Sequence, residues 1–288
     1  MTDQLLRALL DDASLFPPAN LPMPAAVAAH NRHARAWYSD MCGPFVCADT
    51  RLPDLRTALT SGNVAAIDLS LVVTGGADAV AAALDAVAAD PRMRLRAVEV
   101  PAAKDGDPAQ AVSAVVSALD SAPLAAAAAY VEFPLRAVAD PATAGPLLGL
   151  ADERGYRPKL RTGGTTADAF PDEATLAACL TAIIDRRTPF KCTAGLHHAL
   201  RHTAADSGFE HHGFLNVLLA VSAAAHGSPA AEVAALLAER DPETVVAGIS
   251  GLDDDAIAEC RYLFTSFGTC STDEPVADLV ALGLLARR

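Results

Sequence analysis

Short apolar segments alternate with longer amphipathic segments along most of this chain. The short segments are rich in β-branched and other apolar residues, whereas the longer ones are Ala-rich and carry apolar positions at helical spacing. This alternation is typical of parallel strands joined by helical crossovers. It predicts eight strands, at Ser14–Phe16, Pro44–Ala48, Ala65–Val73, Leu95–Pro101, Ala127–Pro134, Pro158–Thr162, Pro189–Ala194 and Tyr262–Phe267.

The helices predicted between these strands complete the pattern of a barrel. They lie at Leu52–Ser61, Ala77–Ala89, Pro108–Leu119, Pro141–Arg154, Asp172–Arg187 and Phe214–His226, with Asp140 and Asp172 as start signals. Helical sequence then continues to about Cys260. We therefore predict one (β/α)8 barrel domain spanning residues 1–288, with extra helices between strands 7 and 8. A doubly wound open sheet is the alternative, but the first strand–helix turn lacks a GxGxxG fingerprint.

Charged residues interrupt five successive predicted strands. Strands of a parallel barrel are covered on both faces, so each such charge costs several kcal/mol unless it is paired or faces a polar pocket. Each could be a structural ion pair or a residue at a strand end. As a group, acids on three strands facing bases on the next two would line one cavity. The residues are Asp68, Glu99, Glu132, Lys159, Arg161 and Lys191.

The two lysines suggest a particular chemistry. A lysine amine becomes nucleophilic at neutral pH when burial or a neighbouring cation lowers its pKa, and Lys159 and Lys191 fall on adjacent strands. Glu132 or Glu99 could then serve as the acid–base group once a carbonyl compound is held as an imine. The pattern predicts Lys159, Lys191, Glu132 and Glu99 as catalytic residues.

The segments "PKLRTGGTTADAF" and "PFKCTAGLHHALR" resemble the sixth and seventh strands of the deoxyribose-phosphate aldolases. That family carries a Schiff-base lysine in a K-T-S-T-G-F strand and a second lysine, which lowers its pKa, in a K-A-S-G-G-I-R-T strand. The resemblance covers about forty residues plus the barrel pattern. It implies a class I aldolase-like barrel, in which Lys159 forms the imine and Lys191 assists.

Two departures from that family affect the expected substrate. Arg161 stands where the family has a small hydroxyl residue, and "GLHH" replaces the Gly-Gly turn used for phosphate. These departures indicate a substrate other than deoxyribose phosphate. We expect Arg161 to bind a carboxylate or phosphate, with Asp68 as a further substrate contact.

The segment directly after Lys191, "TAGLHHALRHTAADSGFEHHGFLN", holds five histidines, at positions 197, 198, 202, 211 and 212. They could be substrate contacts or acid–base groups, with His197 and His198 nearest the pocket. An alternative is a divalent metal such as zinc on His197, His198 and His202, since positions four apart share a helix face. The third possibility is that they are ordinary loop residues. The segment lacks an HExxH motif, so the main prediction is that the protein uses no metal or other cofactor.

The last predicted strand ends in small residues ahead of a helix, which favours an anion site at Gly268 and Ser271. The alternative is that Ser271 or Thr272 only caps that helix. The acidic residues Asp273 and Glu274 in its first turn would oppose a phosphate. Near the other end of the chain, Asp11 and Asp12 precede the first predicted strand, and the sequence leaves their direction undecided.

Composition narrows the partners. A formal net charge of -13 argues against nucleic-acid binding, and the longest apolar runs are too short for a membrane span. Six cysteines without a CxxC pair, and an N-terminus unlike a signal peptide, favour a cytoplasmic location. We expect a small-molecule substrate, no nucleic-acid or membrane partner, and possible homo-oligomerisation.

Three functional hypotheses follow from these observations. The first is an aldolase-type lyase that acts on a small anionic carbonyl compound through a lysine Schiff base. The second is a metal-dependent barrel lyase or hydrolase that uses the histidines. The third is a barrel without catalysis that serves as a binding module, with the strand charges kept as structural ion pairs.

Overall fold

Eight parallel strands close into a barrel in the computed structural model, which describes residues 2–103, 105–205 and 207–286. Neighbouring strands follow chain order around the barrel, and the last strand closes it by pairing with both the seventh and the first. The predicted (β/α)8 barrel is therefore confirmed. Its strands are β1 Leu10–Asp12, β2 Cys42–Ala48, β3 Ile67–Val72, β4 Met93–Pro101, β5 Ala128–Glu132, β6 Arg157–Arg161, β7 Phe190–Thr193 and β10 Phe264–Thr269.

The prediction was wrong for the first strand, which lies four residues earlier than Ser14–Phe16. The segment "LDD" carries two acids, and acids are unfavourable in a covered strand unless each is paired. Tertiary contacts compensate for both charges, because Asp11 pairs with Lys191 and Asp12 with His30. The last strand also differs from Tyr262–Phe267, since Tyr262 lies in the preceding helix and is exposed.

Helices cover the outside of the barrel. Asp140 and Asp172 cap two of them, each accepting a hydrogen bond from a backbone N–H in the first turn. The α-helices are α1 Thr2–Leu6, α2 Met23–His33, α3 Leu52–Ser61, α4 Val80–Ala88, α5 Pro108–Asp120, α6 Leu135–Ala139, α7 Pro141–Asp152, α8 Glu173–Asp185, α9 Phe214–Ala225, α10 Ala230–Ala238, α11 Pro242–Ser250, α12 Asp254–Leu263 and α13 Asp273–Ala281. Short 3-10 turns lie at Ser39–Met41, Asp49–Arg51, Gly76–Ala79 and Ala167–Ala169.

The expected extra helices between the seventh and eighth barrel strands are α10, α11 and α12. They pack as additional cover, α10 against α8 and α9, and α12 against α1 and α9. A small antiparallel hairpin, β8 His202–Thr203 and β9 Glu210–His211, precedes them. None of the helices in the described part of the chain is long and apolar enough to cross a lipid bilayer.

Successive side chains of a strand point alternately outward and into the barrel, and this alternation separates an apolar outer layer from a charged interior. On β6, Leu160 is fully buried, while Lys159 and Arg161, two residues apart, take the opposite face. On β7, Cys192 is buried and Lys191 takes the other face. Both lysines reach carboxylates on strands that are not their neighbours, so their side chains meet inside the barrel.

Candidate active site in the barrel interior

Six charged side chains form a continuous series of ion pairs inside the barrel. We call this series the ion-pair network. Cations and carboxylates alternate along it, three of each, so their formal charges cancel. In order of contact the members are Asp11, Lys191, Glu99, Lys159, Glu132 and Arg161.

Lys159 lies at the centre of the network, between two carboxylates. Its Nζ is 2.6 Å from Oε2 of Glu99 and 2.9 Å from Oε2 of Glu132. Lys159 is only 2% exposed, so neither ion pair is screened by bulk water. A buried ammonium is tolerated only when it is paired in this way.

Lys191 occupies the equivalent position on β7, one strand along. Its Nζ donates to Asp11 and to Oε1 of Glu99, the second distance being 2.7 Å. Two serine hydroxyls add hydrogen bonds to these carboxylates. Ser70 donates to Glu99 at 2.5 Å, and Ser266 donates to Asp11 at 2.9 Å. Glu99 thus accepts hydrogen bonds from both lysines and from a hydroxyl.

A glycine makes room for Asp11 on the neighbouring strand. A side chain at Gly43 would place its Cβ against Oδ1 of Asp11. The carboxylate of Asp11 therefore approaches β2 more closely than any other residue type at position 43 would allow. Close backbone approach of this kind is a usual reason for glycine inside a strand.

The network determines the charge state of its members. Burial by itself raises the pKa of Glu99, but Lys159 and Lys191 outweigh it and hold the pKa well below its usual range. For Glu132 burial again opposes ionisation, yet Lys159 and Arg161 lower the pKa to about 2. Both carboxyl groups are therefore ionised at neutral pH, and neither is a strong base while its partners are in place.

For Lys191, the expected lowering of the pKa by its neighbour is wrong. Burial favours the neutral amine, but Asp11 and Glu99 outweigh it and raise the pKa above its ordinary value. The sequence pattern predicts two cations on adjacent strands, but it does not contain the contacts that carboxylates make with each of them. Lys191 is thus an ammonium group at neutral pH.

Asp68 does not join the residues that were predicted with it. It is the second residue of β3, at the opposite end of the strand from the barrel mouth. Its carboxylate pairs with Arg94 at 2.7 Å and with Arg96 at 3.2 Å, and all three side chains are well exposed. The predicted role of Asp68 as a substrate contact is therefore wrong, because position along a strand, not strand membership, decides which end a side chain reaches.

Four of the five histidines group together beside α13. His197, His198, His202 and His211 form what we call the histidine cluster, with ring centroids 4.7 Å apart for His198 and His202 and 5.0 Å apart for His202 and His211. The fifth histidine, at position 212, is buried elsewhere, with Nε2 2.8 Å from Pro171 O.

Acidic residues of α13 hold two members of the histidine cluster. Nδ1 of His198 lies 3.0 Å from Asp278, and Nδ1 of His197 lies 3.5 Å from both Glu274 and Sγ of Cys270. Burial alone would lower the pKa of His197, but the hydrogen bonds with Cys270 and Glu274 raise the pKa to about 9. His197 is therefore protonated at neutral pH.

The histidine cluster is not arranged as a metal site. Within residues 2–103, 105–205 and 207–286, no group of three or more His, Cys, Asp or Glu side chains is placed to hold a metal ion. Nδ1 of His202 and Nδ1 of His211 each lie within hydrogen-bond distance of a backbone carbonyl, of Leu200 and Gly195 respectively. These contacts orient the rings within the cluster.

At the end of β10, the structure favours the capping alternative over an anion site. Gly268 is buried in the strand, and a Cβ there would lie 3.3 Å from the hydroxyl of Thr193. Ser271 accepts a hydrogen bond from the N–H of Glu274 at 3.3 Å, as a helix cap does. The Glu274 side chain then adds a negative charge at the start of α13.

Two loops press together directly after the lysine strands. A Cβ on Gly163 would lie 2.7 Å from Cα of Gly195, and a Cβ on Gly195 would strike Thr162 O. Ala194 and Gly195 both have positive φ, and Thr162 donates its hydroxyl hydrogen to Ala194 O at 2.5 Å. The carboxyl ends of β6 and β7 are therefore fixed relative to each other.

Three residues of the ion-pair network and its hydrogen bonds are not predicted from the sequence. The predicted strands leave Asp11 ahead of the first strand, and Ser70 and Ser266 carry no signal that separates them from other strand serines. A charged residue within an apolar run, as in "ALLDDASLF", is the signal that could have placed Asp11.

In comparisons with known proteins, no family model matches this chain and no curated protein matches its sequence.

Proposed function

We propose that this protein is an aldolase-type lyase that acts on a small anionic carbonyl compound through an imine on Lys159. The observation that carries the proposal is the position of Lys159 Nζ between the Glu99 and Glu132 carboxylates, next to the ammonium of Lys191. An amine that must become nucleophilic needs a nearby group to take its proton, and Lys159 has two.

In the proposed reaction, the neutral amine of Lys159 adds to the carbonyl carbon of the substrate and forms a C–N bond. Glu132 accepts the proton that the Lys159 ammonium loses. The carbonyl oxygen then takes up that proton from Glu132 and a second proton from the amine nitrogen, and leaves as water, which gives a protonated imine. The iminium nitrogen then accepts the electron pair of a neighbouring C–C or C–H bond as that bond breaks. Glu132, which is a carboxylate again once the water has left, accepts the proton that the substrate loses.

Lys191 has a different role in this scheme. Its raised pKa keeps it an ammonium, so it supplies fixed positive charge rather than a second nucleophile. Through its contact with Glu99 it positions the carboxylate that faces Lys159. Preorganised charge of this kind stabilises oxyanions that develop in a transition state.

Reductive trapping tests the proposal sharply, because the chain contains only three lysines, Lys104, Lys159 and Lys191. Lys104 lies outside the described residues. The protein is incubated with small carbonyl compounds and borohydride, and peptides are mapped by mass spectrometry. We expect an adduct at Lys159 that is lost in Lys159→Arg and retained in the control Lys104→Arg. Absence of an adduct at Lys159 with every carbonyl compound would refute the imine mechanism.

The pairing within the ion-pair network also supports a second candidate, a binding barrel without catalysis. In that case the charges are structural, and each member of the network is already paired within it. The binding barrel predicts large destabilisation by Lys159→Met without any trapped adduct in the wild-type protein. The lyase proposal predicts a trapped adduct in the wild-type protein, regardless of how much Lys159→Met lowers the stability.

Location and assembly belong to the same proposal. All six cysteines are free thiols in the structure, and we propose a cytoplasmic enzyme. Homo-oligomerisation stays a prediction, to be checked by light scattering of the purified protein.

A further inference from the structure

The outermost pair of the ion-pair network differs from the rest in exposure. The Arg161 side chain is 39% exposed, whereas that of Glu132 is 10% exposed and that of Lys159 is 2% exposed. Arg161 is also the last residue of β6, at the carboxyl end of the barrel, where sites of such barrels lie. Solvent therefore reaches the network through Arg161.

Arg161 and Lys159 share one carboxylate. Arg161 donates from Nε to Oε1 of Glu132 at 2.7 Å and from Nη2 to Oε2 at 3.4 Å, while Lys159 contacts the same Oε2 at 2.9 Å. A guanidinium fork fits any carboxylate in this two-point manner. A carboxylate on a ligand could therefore replace that of Glu132 at Arg161 without loss of hydrogen bonds.

We propose that Arg161 exchanges Glu132 for the carboxylate of the substrate, and that this exchange frees Glu132 to deprotonate Lys159. This inference rests on the proposed lyase function and deepens it. In the exchange, two Arg161–Glu132 hydrogen bonds break and two Arg161–substrate hydrogen bonds form. One proton then passes from the Lys159 ammonium to the Glu132 carboxylate, which leaves a neutral amine and a neutral carboxylic acid.

The electrostatics of the site favour this order of events. Arg161 is one of the two cations that lower the pKa of Glu132, so departure of the guanidinium makes Glu132 a better base. The amine is therefore freed more readily when an anionic ligand is bound.

The helix that begins at the same end of the barrel, α13 after β10, argues for a carboxylate rather than a phosphate as the recognised group. The first turn of α13 carries Asp273 and Glu274, and the Ser271 hydroxyl already accepts from the N–H of Glu274. A helix N-terminus that carries its own acids is a poor phosphate site. The single guanidinium of Arg161 matches the charge of one carboxylate, so the substrate class is a small keto or aldehydo acid.

The first test compares three aldehydes as probes: glyoxylate, which carries a carboxylate; acetaldehyde, which is neutral; and glycolaldehyde phosphate. The rate of reductive trapping at Lys159 is measured by mass spectrometry in the wild-type protein and in Arg161→Gln. Dividing the variant rate by the wild-type rate for each probe cancels the intrinsic reactivity of the aldehyde. Arg157→Gln, the same substitution four residues earlier on β6, is the matched control.

Loss of a charge-assisted hydrogen-bond pair in Arg161→Gln should slow glyoxylate trapping by about 10- to 100-fold. Acetaldehyde trapping should not fall, because Glu132 no longer has a guanidinium partner. Arg157→Gln should leave the trapping rates of glyoxylate and acetaldehyde within about twofold of the wild-type rates. A twofold change corresponds to less free energy than one weak hydrogen bond contributes. An Arg161→Gln variant that slows both aldehydes equally, or neither, while the adduct still forms at Lys159 would overturn the exchange.

A second test uses the wild-type protein alone and so does not depend on the folding of a variant. Formate, the smallest carboxylate, should accelerate trapping of acetaldehyde at Lys159 by occupying Arg161, whereas chloride at equal ionic strength should not. No acceleration beyond that of chloride would overturn the exchange. Faster wild-type trapping of glycolaldehyde phosphate than of glyoxylate, each relative to its reaction with a free lysine amine, would overturn the carboxylate assignment. A wild-type protein that traps none of the three aldehydes refutes the lyase itself.

Discussion

Lys159 and Lys191 are register partners on adjacent strands, and the carboxylate of Glu99 bridges them. One oxygen of Glu99 lies 2.6 Å from Lys159 and the other lies 2.7 Å from Lys191. Two ammonium groups at this spacing would repel each other strongly in a buried site. The interposed carboxylate turns that repulsion into two ion pairs and keeps Lys191 charged.

Replacing Glu99 should therefore be among the most damaging single changes. Glu99→Gln leaves two buried ammonium groups with one carboxylate fewer, and breaking a buried pair in this way costs about 3–5 kcal/mol in the free energy of unfolding. Denaturant unfolding measures the loss. Asp68→Asn is the control, because it removes an exposed acid from the preceding strand and should cost less than about 1 kcal/mol. Equal losses in the two variants would contradict a structural role for the Glu99 bridge.

The Ser70 hydroxyl should contribute measurably through Glu99. Ser70 is fully buried, and Ser70→Ala removes a hydrogen bond to an ionised acceptor, which should lower the free energy of unfolding by about 1.5–3 kcal/mol. Thr181→Val offers a comparison, because the buried Oγ1 of Thr181 has no hydrogen-bond partner in the described residues. That substitution should be neutral or stabilising. A Ser70→Ala protein as stable as the wild type would show that the lysines alone satisfy Glu99.

Crowding between the loops after β6 and β7 predicts a difference between two glycines of similar backbone angle. Gly195 and Gly227 have φ of 79° and 83°, but only Gly195 has heavy atoms within 4 Å of an added Cβ. Gly227→Ala should cost about 1–2 kcal/mol, the usual cost of a left-handed residue. Gly195→Ala should cost at least twice as much in the same denaturation experiment, since Thr162 O must also move. Similar costs would mean that the two loops separate easily.

His197 should make stability depend on pH. Its folded-state pKa of about 9 lies above the usual value of 6.5, so its contribution is complete below pH 6.5 and is lost as the pH rises through about 9. The difference corresponds to about 3 kcal/mol at most. Comparing wild-type and His197→Gln unfolding at about pH 6 and about pH 10 should show a large difference at the lower pH and a small one at the higher pH.

Two further variants test the cause of that pH dependence. Glu274→Gln removes the carboxylate that holds the His197 proton, so it should reduce the destabilisation that His197→Gln then adds at the lower pH. His226→Gln, a change of an exposed histidine, is the control for the substitution itself. Destabilisation by His197→Gln that is equal at both pH values would show that packing, and not charge, explains its contribution.

The sequence by itself determined the architecture and the strands that carry the chemistry. Alternation of short apolar and long amphipathic segments is a local property, so it predicted the closed barrel and seven of its strands to within a few residues. Charges inside apolar runs likewise marked Glu99, Glu132, Lys159, Arg161 and Lys191. They stand out because a covered strand excludes unpaired charge wherever it lies in the chain.

Only the tertiary structure decided how those charges combine. Closure of the barrel brings Asp11 beside Lys191, although 180 positions separate them in the chain. Strand length and register leave Asp68 at the far end of the barrel and place Glu99 between the two lysines. The charge state of Lys191 depends on distances of a few ångströms between strands remote in sequence, and no local pattern contains those distances.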